Sequence, residues 1–402
     1  MLTETKAEHA AFLRVGSGEA VPVIVLGGSD NALSIARALG RRHVPVFTLN
    51  VPSADVSRSR FATPIQLPAD VPLDVAITDF LLGEASRRFD GCVLLAASDV
   101  GLEILAKHRE ELQRRFLLDL SDPIAQQRML DKQETYQVAA ENNVPTPLWW
   151  TARTCDEIAA IRDELVYPLI VKPRLSHLFQ AKFDSKFIVA SNYSELEEAF
   201  AVTEREGIDV LLCEKIPGPD SQLCSYYTYL DEDGEALFDF TKRIIRRTPK
   251  NMGLACYHIT DHVPEIHDLA LRLFRGAGLR GLANAEFKLD PRDGVYKLIE
   301  CNARFTAANV LVHAAGMDLA SLVYNRLVGL PIPSLDSFRA GVRLWDPVRD
   351  LRAYRELSQL GDLSFWGWLR SIAKPQVFPS FRLTDPVPAW NRLRKRIGKR
   401  LK

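Results

Sequence analysis

The sequence predicts an α/β chain: an N-terminal doubly wound parallel α/β domain followed by two α+β subdomains. Three observations predict it. Residues 21–51, "VPVIVLGGSDNALSIARALGRRHVPVFTLNV", read as a buried strand, a glycine turn, an amphipathic helix and a second buried strand, the βαβ unit of a parallel sheet. "DGCVLLAASDVGLEILAKH" at 90–108 repeats strand, turn and helix. Beyond residue 165, short apolar strands bounded by Pro/Gly/Asp clusters read as hairpins between helices.

The elements follow in order. The first domain is expected to span residues 1–120. "SDP" at 121–123 opens a helix, with Ser121 as cap and Pro123 in its first turn, running to about Glu141 before "NVPTP". With "LVYPLIVKP", "KFIVAS" and a helix at 194–206 this makes a small subdomain, 121–210. "VLLCEKIPG" then opens a larger subdomain, 211–330. It holds the hairpin "QLCSYYTYLDEDGEALFDFTKR" turning at "DEDG", a helix at 263–277, an acidic hairpin and a helix at 306–328. After residue 330 the pattern loosens into a 331–402 extension with prolines, tryptophans and a basic end. No internal repeat or low-complexity linker is visible.

Bulk numbers exclude several classes. Lysine plus arginine equals aspartate plus glutamate at 51 each, so no global field points to nucleic acid. "MLTETKAEHAAFLRVG" has no apolar stretch long enough for a signal peptide or membrane span. The six cysteines are scattered, without CxxC or metal-ligand spacing. A cytoplasmic chain is expected. "LGGSDNALSIAR" is not GxGxxG, and no acid closes the next strand, so the dinucleotide case is poor.

The chemistry concentrates at 283–305, "ANAEFKLDPRDGVYKLIECNARF". With Pro291 to Val295 in the loop, Glu286 falls opposite Glu300, and like charges placed so repel. Asn302 and Arg304 continue that face with period two. One reading is a solvent-facing pair with each Glu matched to Lys288 or Lys297. The other is a hard, all-oxygen Mg²⁺ site, with phosphates and water as further ligands. Lys297 is expected on the opposite face from Glu300, and Arg304 is the cation that clearly shares it, which favours the metal.

Other candidates are weak singly. Lys172 ends the buried strand "YPLIVKP", Lys132 is placed mid-helix in "MLDKQETY", and "VLLCEKIPGPD" is an apolar strand broken by Pro217 and Gly218. "FDFTKRIIRRTPKNMG" is a basic stretch in which Arg246 is the candidate for a phosphate or substrate carboxylate; a solvated basic strand explains it equally.

In order and spacing, a helical lysine, "IVKP", "EKIPG" and Glu–(13 residues)–"ECNARF" resemble the ATP-grasp superfamily over roughly residues 20–330. The most specific part is 281–316, where "ECNARFTAANVLVHAAGMDL" is similar to the family's "ExNxR…G" signature. The resemblance implies ATP and Mg²⁺, with Mn²⁺ as a substitute. It places Glu286, Glu300 and Asn302 on the metal and Lys132 and Lys172 on the ATP phosphates. It assigns the adenine to Glu214 and the Ile216 backbone, the ribose to Asp220 and the acyl phosphate to Arg304. In the family the first strand–loop–helix lies by the substrate pocket, so Ser29, Asp30, Ser98 and Asp99 are substrate candidates, although helix capping explains them equally.

One departure narrows the assignment. The segment after Lys172, "PRLSHLFQAKFDSKFIVAS", lacks the glycine-rich flap of many relatives. It looks like a carboxylate–amine ligase branch to which D-aspartate ligase is similar, with Lys186 in the following strand and Lys182 and His177 as further donors. The implied activity is an ATP- and Mg-dependent ligase joining a small-molecule carboxylate to an amine or small amino acid through an acyl phosphate. The alternatives are a non-catalytic nucleotide-binding sensor or scaffold and a bicarbonate-using carboxylase. Many relatives are dimers, so a homodimer is expected. The tail "RLRKRIGKRLK" either rests on anionic lipid or holds a polyanionic partner, or is a disordered solubilising end.

Overall fold

The computed structural model describes residues 20–174 and 187–398, the side chains up to residue 395. It contains three sheets. The first is parallel, in the order β3-β2-β1-β4, from β1 (Val23–Leu26), β2 (Val46–Leu49), β3 (Thr63–Ile65) and β4 (Val93–Ala96). The central strand "VIVL" is buried at all four positions, as a parallel strand covered on both faces must be. The turn after it needs its glycines: Gly27 and Gly28 have φ of +66° and +84°, and a Cβ on Gly27 would lie 2.2 Å from Ser98 Oγ.

The second sheet runs β5-β8-β6-β7, built from β5 (Trp149–Thr151), β6 (Leu169–Pro173), β7 (Ile188–Ala190) and β8 (Val210–Glu214). β8 pairs antiparallel with both β5 and β6. The strand expected to open the larger subdomain therefore belongs to the smaller one.

The third sheet is six-stranded, β13-β12-β9-β10-β11-β14. Its strands are β9 (Leu223–Leu230), β10 (Phe240–Thr248), β11 (Leu254–Thr260), β12 (Gly281–Leu289), β13 (Tyr296–Asn302) and β14 (Arg343–Trp345). All pairings are antiparallel. β14 comes from the extension beyond 330, which is ordered where a loosened pattern was expected. Helix Pro347–Gln359 follows it and packs on β10.

Two expected helices are each broken. The 121–141 helix divides into Pro123–Leu130 and Lys132–Glu141, because Asp131 caps the second by accepting from Gln133 N at 2.9 Å. The 306–328 helix divides into Asn309–Ala314 and Leu319–Val328 around Gly316, whose φ is +107°. The basic end, up to residue 398, is not a loose tail but a helix, Val387–Gly398, set against the short helix Asp55–Arg58. Just before it, buried Asp385 accepts from Arg37 Nε at 2.8 Å, Ser59 Oγ at 2.7 Å and Arg60 N at 3.1 Å. Among the described residues no helix is long and apolar enough to cross a membrane.

Candidate active site

A single row of side chains crosses four strands of the large sheet. Glu300 on β13 pairs with Glu286 on β12, Glu286 with Ser225 on β9, and Ser225 with Lys242 on β10. Directly paired residues share a face, so the four stand side by side. Lys242 Nζ donates to Ser225 Oγ at 2.8 Å, and Ser225 Oγ to Glu286 Oε1 at 3.5 Å. Burial works against the Lys242 charge, but Tyr227 and Glu286 outweigh it and hold its pKa above the usual lysine value. A buried cation thus faces the acidic pair from a strand more than 40 residues earlier.

The Glu286–Glu300 facing matches the sequence expectation, but the ladder between them and the turn does not. Lys288 pairs with Lys297 and Phe287 with Leu298, and an irregularity between Glu286 and Phe287 leaves Ile299 as the extra residue. That bulge puts Lys297 in register on the same face as Glu300, where the opposite face was expected. Lys297 is engaged near the turn instead, donating to Asp290 at 2.6 Å and lying 3.0 Å from Asp293.

The row opens into a cleft of about 450 Å³ between the three sheets. Lys132, Lys172, Lys242, Glu286, Glu300, Asn302 and Arg304 all line it. Lys132 is the first residue of its helix rather than a mid-helix residue, because of the break at Asp131. Lys172 Nζ donates to Tyr136 Oη at 3.1 Å, and Tyr136 Oη in turn to Ile299 O at 3.1 Å. That chain ties the small sheet to the bulge of β13. Asn302 Nδ2 donates to Glu300 Oε1 at 3.3 Å. Arg304 Nε donates to Asp99 Oδ1 at 2.5 Å, joining β13's end to the N-terminal domain.

Of the four N-terminal candidates, Asp30 and Asp99 line the cleft. Ser98 caps its helix by accepting from Gly101 N at 3.0 Å, whereas Ser29 makes no side-chain cap bond. Asn31 is a residue sequence reasoning missed. It donates to Ala97 O at 2.5 Å and Phe305 O at 3.0 Å, binding the turns after β1 and β4 to the "NARF" segment.

Arg246 is a correction. It is buried, with Nε and Nη2 donating to the two oxygens of buried Asp350 at 2.7 and 3.0 Å and Nη1 to Ser371 Oγ at 2.9 Å. Regular alternation would have kept it on the Lys242 face. The register shift after Ile244 turns it to the other side, opposite Tyr257. Arg247 lines the cleft in its place. Lys242 and Arg247 were legible only as members of a basic run.

Glu214 ends β8 and Ile216 and Asp220 follow it; none of the three lines the cleft, and their polar atoms have protein partners. Arg292 Nη1 donates to Glu214, Lys288 Nζ to Ile216 O and Gly218 O at 2.9 and 3.0 Å, and Arg247 Nε to Asp220 at 2.5 Å. Burial pulls Lys288 down to about 8. Lys186, with Lys182 and His177, lies outside the described residues.

The acidic pair and "NARF" segment fall inside a stretch, residues 246–333, that matches the family model described as "Carbamoyl-phosphate synthase L chain, ATP binding domain". The chain has the ATP-grasp fold. It is 23% identical over 333 residues to D-aspartate ligase of Enterococcus faecium, covering 76% of each. Its fold is similar to that of L-amino acid ligase from Bacillus licheniformis, with a TM-score of 0.58, 19% identity and coverage of 77% and 75%. It is also similar to the biotin carboxylase domain of Hydrogenobacter thermophilus 2-oxoglutarate carboxylase, solved with MgADP, ADP and bicarbonate, at a TM-score of 0.61, 17% identity and coverage of 81% and 74%.

Proposed function

We propose that this ATP-grasp protein is an ATP- and Mg²⁺-dependent carboxylate–amine ligase that makes an amide bond through an acyl phosphate, with a small amino acid or amine as one substrate. The observation that carries the reading is the facing of Glu286 and Glu300 in a cleft rimmed by Lys132, Lys172, Lys242, Arg247 and Arg304. Two carboxylates and the Asn302 carboxamide offer hard oxygen donors on one face, a fit for Mg²⁺. Among the described residues no cluster of three or more His, Cys, Asp or Glu side chains could hold a metal by itself, so phosphate and water would complete the shell. When bound, the ion neutralises charge on the transferring phosphoryl group.

The chain's own side chains account for the rest. A carboxylate does not acylate an amine because oxide leaves poorly. Phosphorylation by ATP gives an acyl phosphate, releasing ADP. The amine nitrogen then attacks the acyl carbon, the C–O bond to phosphate breaks, and a proton leaves the nitrogen. Lys132, Lys172 and Lys242 are the cations positioned for the phosphates, and Arg304 for the acyl phosphate and its oxyanion. The chemistry needs no side-chain nucleophile. The end of β8 and the segment after it, bearing Glu214, Ile216 and Asp220, are proposed as the nucleoside end. The small subdomain and the larger subdomain are read as the units that clasp the nucleotide.

The test is ADP release across a panel of carboxylates and amines, with product mass measured. ADP release that requires both an acid and an amine, with an amide product, supports the reading. Release stimulated by bicarbonate without an amine assigns a carboxylase instead, and nucleotide binding without turnover on any pair assigns a sensor or scaffold.

A further inference from the structure

Helix Val387–Gly398 is attached to the N-terminal domain by one polar face. Asn391 Nδ2 and Arg392 Nε donate to the two oxygens of Asp55 at 3.0 and 2.7 Å, and Lys395 Nζ reaches Asp55 Oδ1 at 3.3 Å. Arg392 also donates to Asp30 Oδ1 at 2.5 Å. At about 3.6 residues per turn these three fall within one arc of the helix, and residues 390 and 393 lie on the other side. Trp390 is 64% exposed and Leu393 41%, with Arg394 exposed beside them. The charge is as uneven as the apolarity: seven of the last eleven residues are basic in a chain whose net charge is zero.

We propose that this outward face docks on an anionic bilayer surface. An indole and a leucine on one side of a helix, bordered by arginine and followed by basic residues, is the composition of an interfacial helix. Phosphate contact with a nucleic acid would use the cations but leave the exposed Trp390 and Leu393 side chains in water. Each signal is weak alone, and stable attachment requires the two together. Asp30 lines the cleft and is held by Arg392 of the same helix, so docking sets the cleft mouth beside the membrane. This inference does not depend on the reaction proposed above.

The experiment is sedimentation of the full chain with vesicles of phosphatidylcholine alone and of phosphatidylcholine mixed equally with phosphatidylglycerol. The expected result is binding to the mixed vesicles only, weakening as salt is raised. Arg394→Glu should reduce binding at least about fivefold, the contribution of one basic residue near an anionic surface. Trp390→Ser with Leu393→Ser should abolish it while the melting temperature in solution is unchanged, which shows that the variant is folded. Equal binding to both vesicle types, retention by the double serine variant, or binding to DNA but not to vesicles would each overturn the proposal.

Discussion

Arg304 Nε donates to Asp99 Oδ1 at 2.5 Å, a bond that spans 205 residues of sequence and both walls of the cleft. The carboxylate aims the guanidinium, so its loss should be felt in turnover more than in folding. Arg304→Lys, which loses the planar fork, should lower kcat/KM by about 10²- to 10³-fold. Asp99→Asn keeps an acceptor and should cost on the order of tenfold, read by steady-state ADP release with the melting temperature unchanged.

Removing either carboxylate charge should weaken the metal site, and Glu286 also supports the buried Lys242 charge. Glu286→Gln and Glu300→Gln should both lose the stabilisation by MgATP, with Glu286→Gln the one that lowers the apo melting temperature. In the wild type that stabilisation should reach about 2.7 kcal/mol at a ligand concentration 100 times Kd. Thermal shifts with ATP, with and without Mg²⁺, decide it. A wild-type shift that survives EDTA would contradict the metal assignment.

Arg246 and Asp350 form a buried bidentate pair that does not itself line the cleft. Arg246→Ala leaves Asp350 buried and unpaired and should destabilise the fold by about 3–5 kcal/mol in urea denaturation. Arg247→Lys, one residue along but on the cleft, keeps a cation for buried Asp220 and should instead raise KM for the nucleotide with little change in the denaturation midpoint. Equal kinetic losses in both would refute the separation.

Lys288 is pulled down to about 8 by burial, against 10.5 for an ordinary lysine. Below about pH 8 both folded and unfolded chains carry its proton, and the folded state bears the cost of a buried charge. Between about 8 and 10.5 the unfolded chain binds the proton and the folded chain does not, so this group's contribution raises stability as pH rises. The stability of the wild type relative to Lys288→Met should therefore increase across that window. A pH-independent difference in denaturation free energy would exclude the shift.

Much of this was local enough to read from the residues. The βαβ unit needs only a glycine turn between apolar runs. The facing of Glu286 and Glu300 needs only alternation and a turn at "DPRDG". The residues around them were less legible, since one inserted residue inverts every later side chain. The bulge at Ile299 moved Lys297 in register to the Glu300 face, and the shift after Ile244 exchanged Arg246 for Arg247 at the cleft.

The chain's local pattern thus determined the class of fold, the acidic hairpin and the order of the lysines, because periodicity and turn chemistry act over a few neighbours. Tertiary structure alone decided that Lys242 reaches Glu286 through Ser225, that Asp99 holds Arg304, and that residues 343–345 complete the sheet. Those pairings join segments tens to hundreds of residues apart, and only the packed sheet order brings them within hydrogen-bonding range.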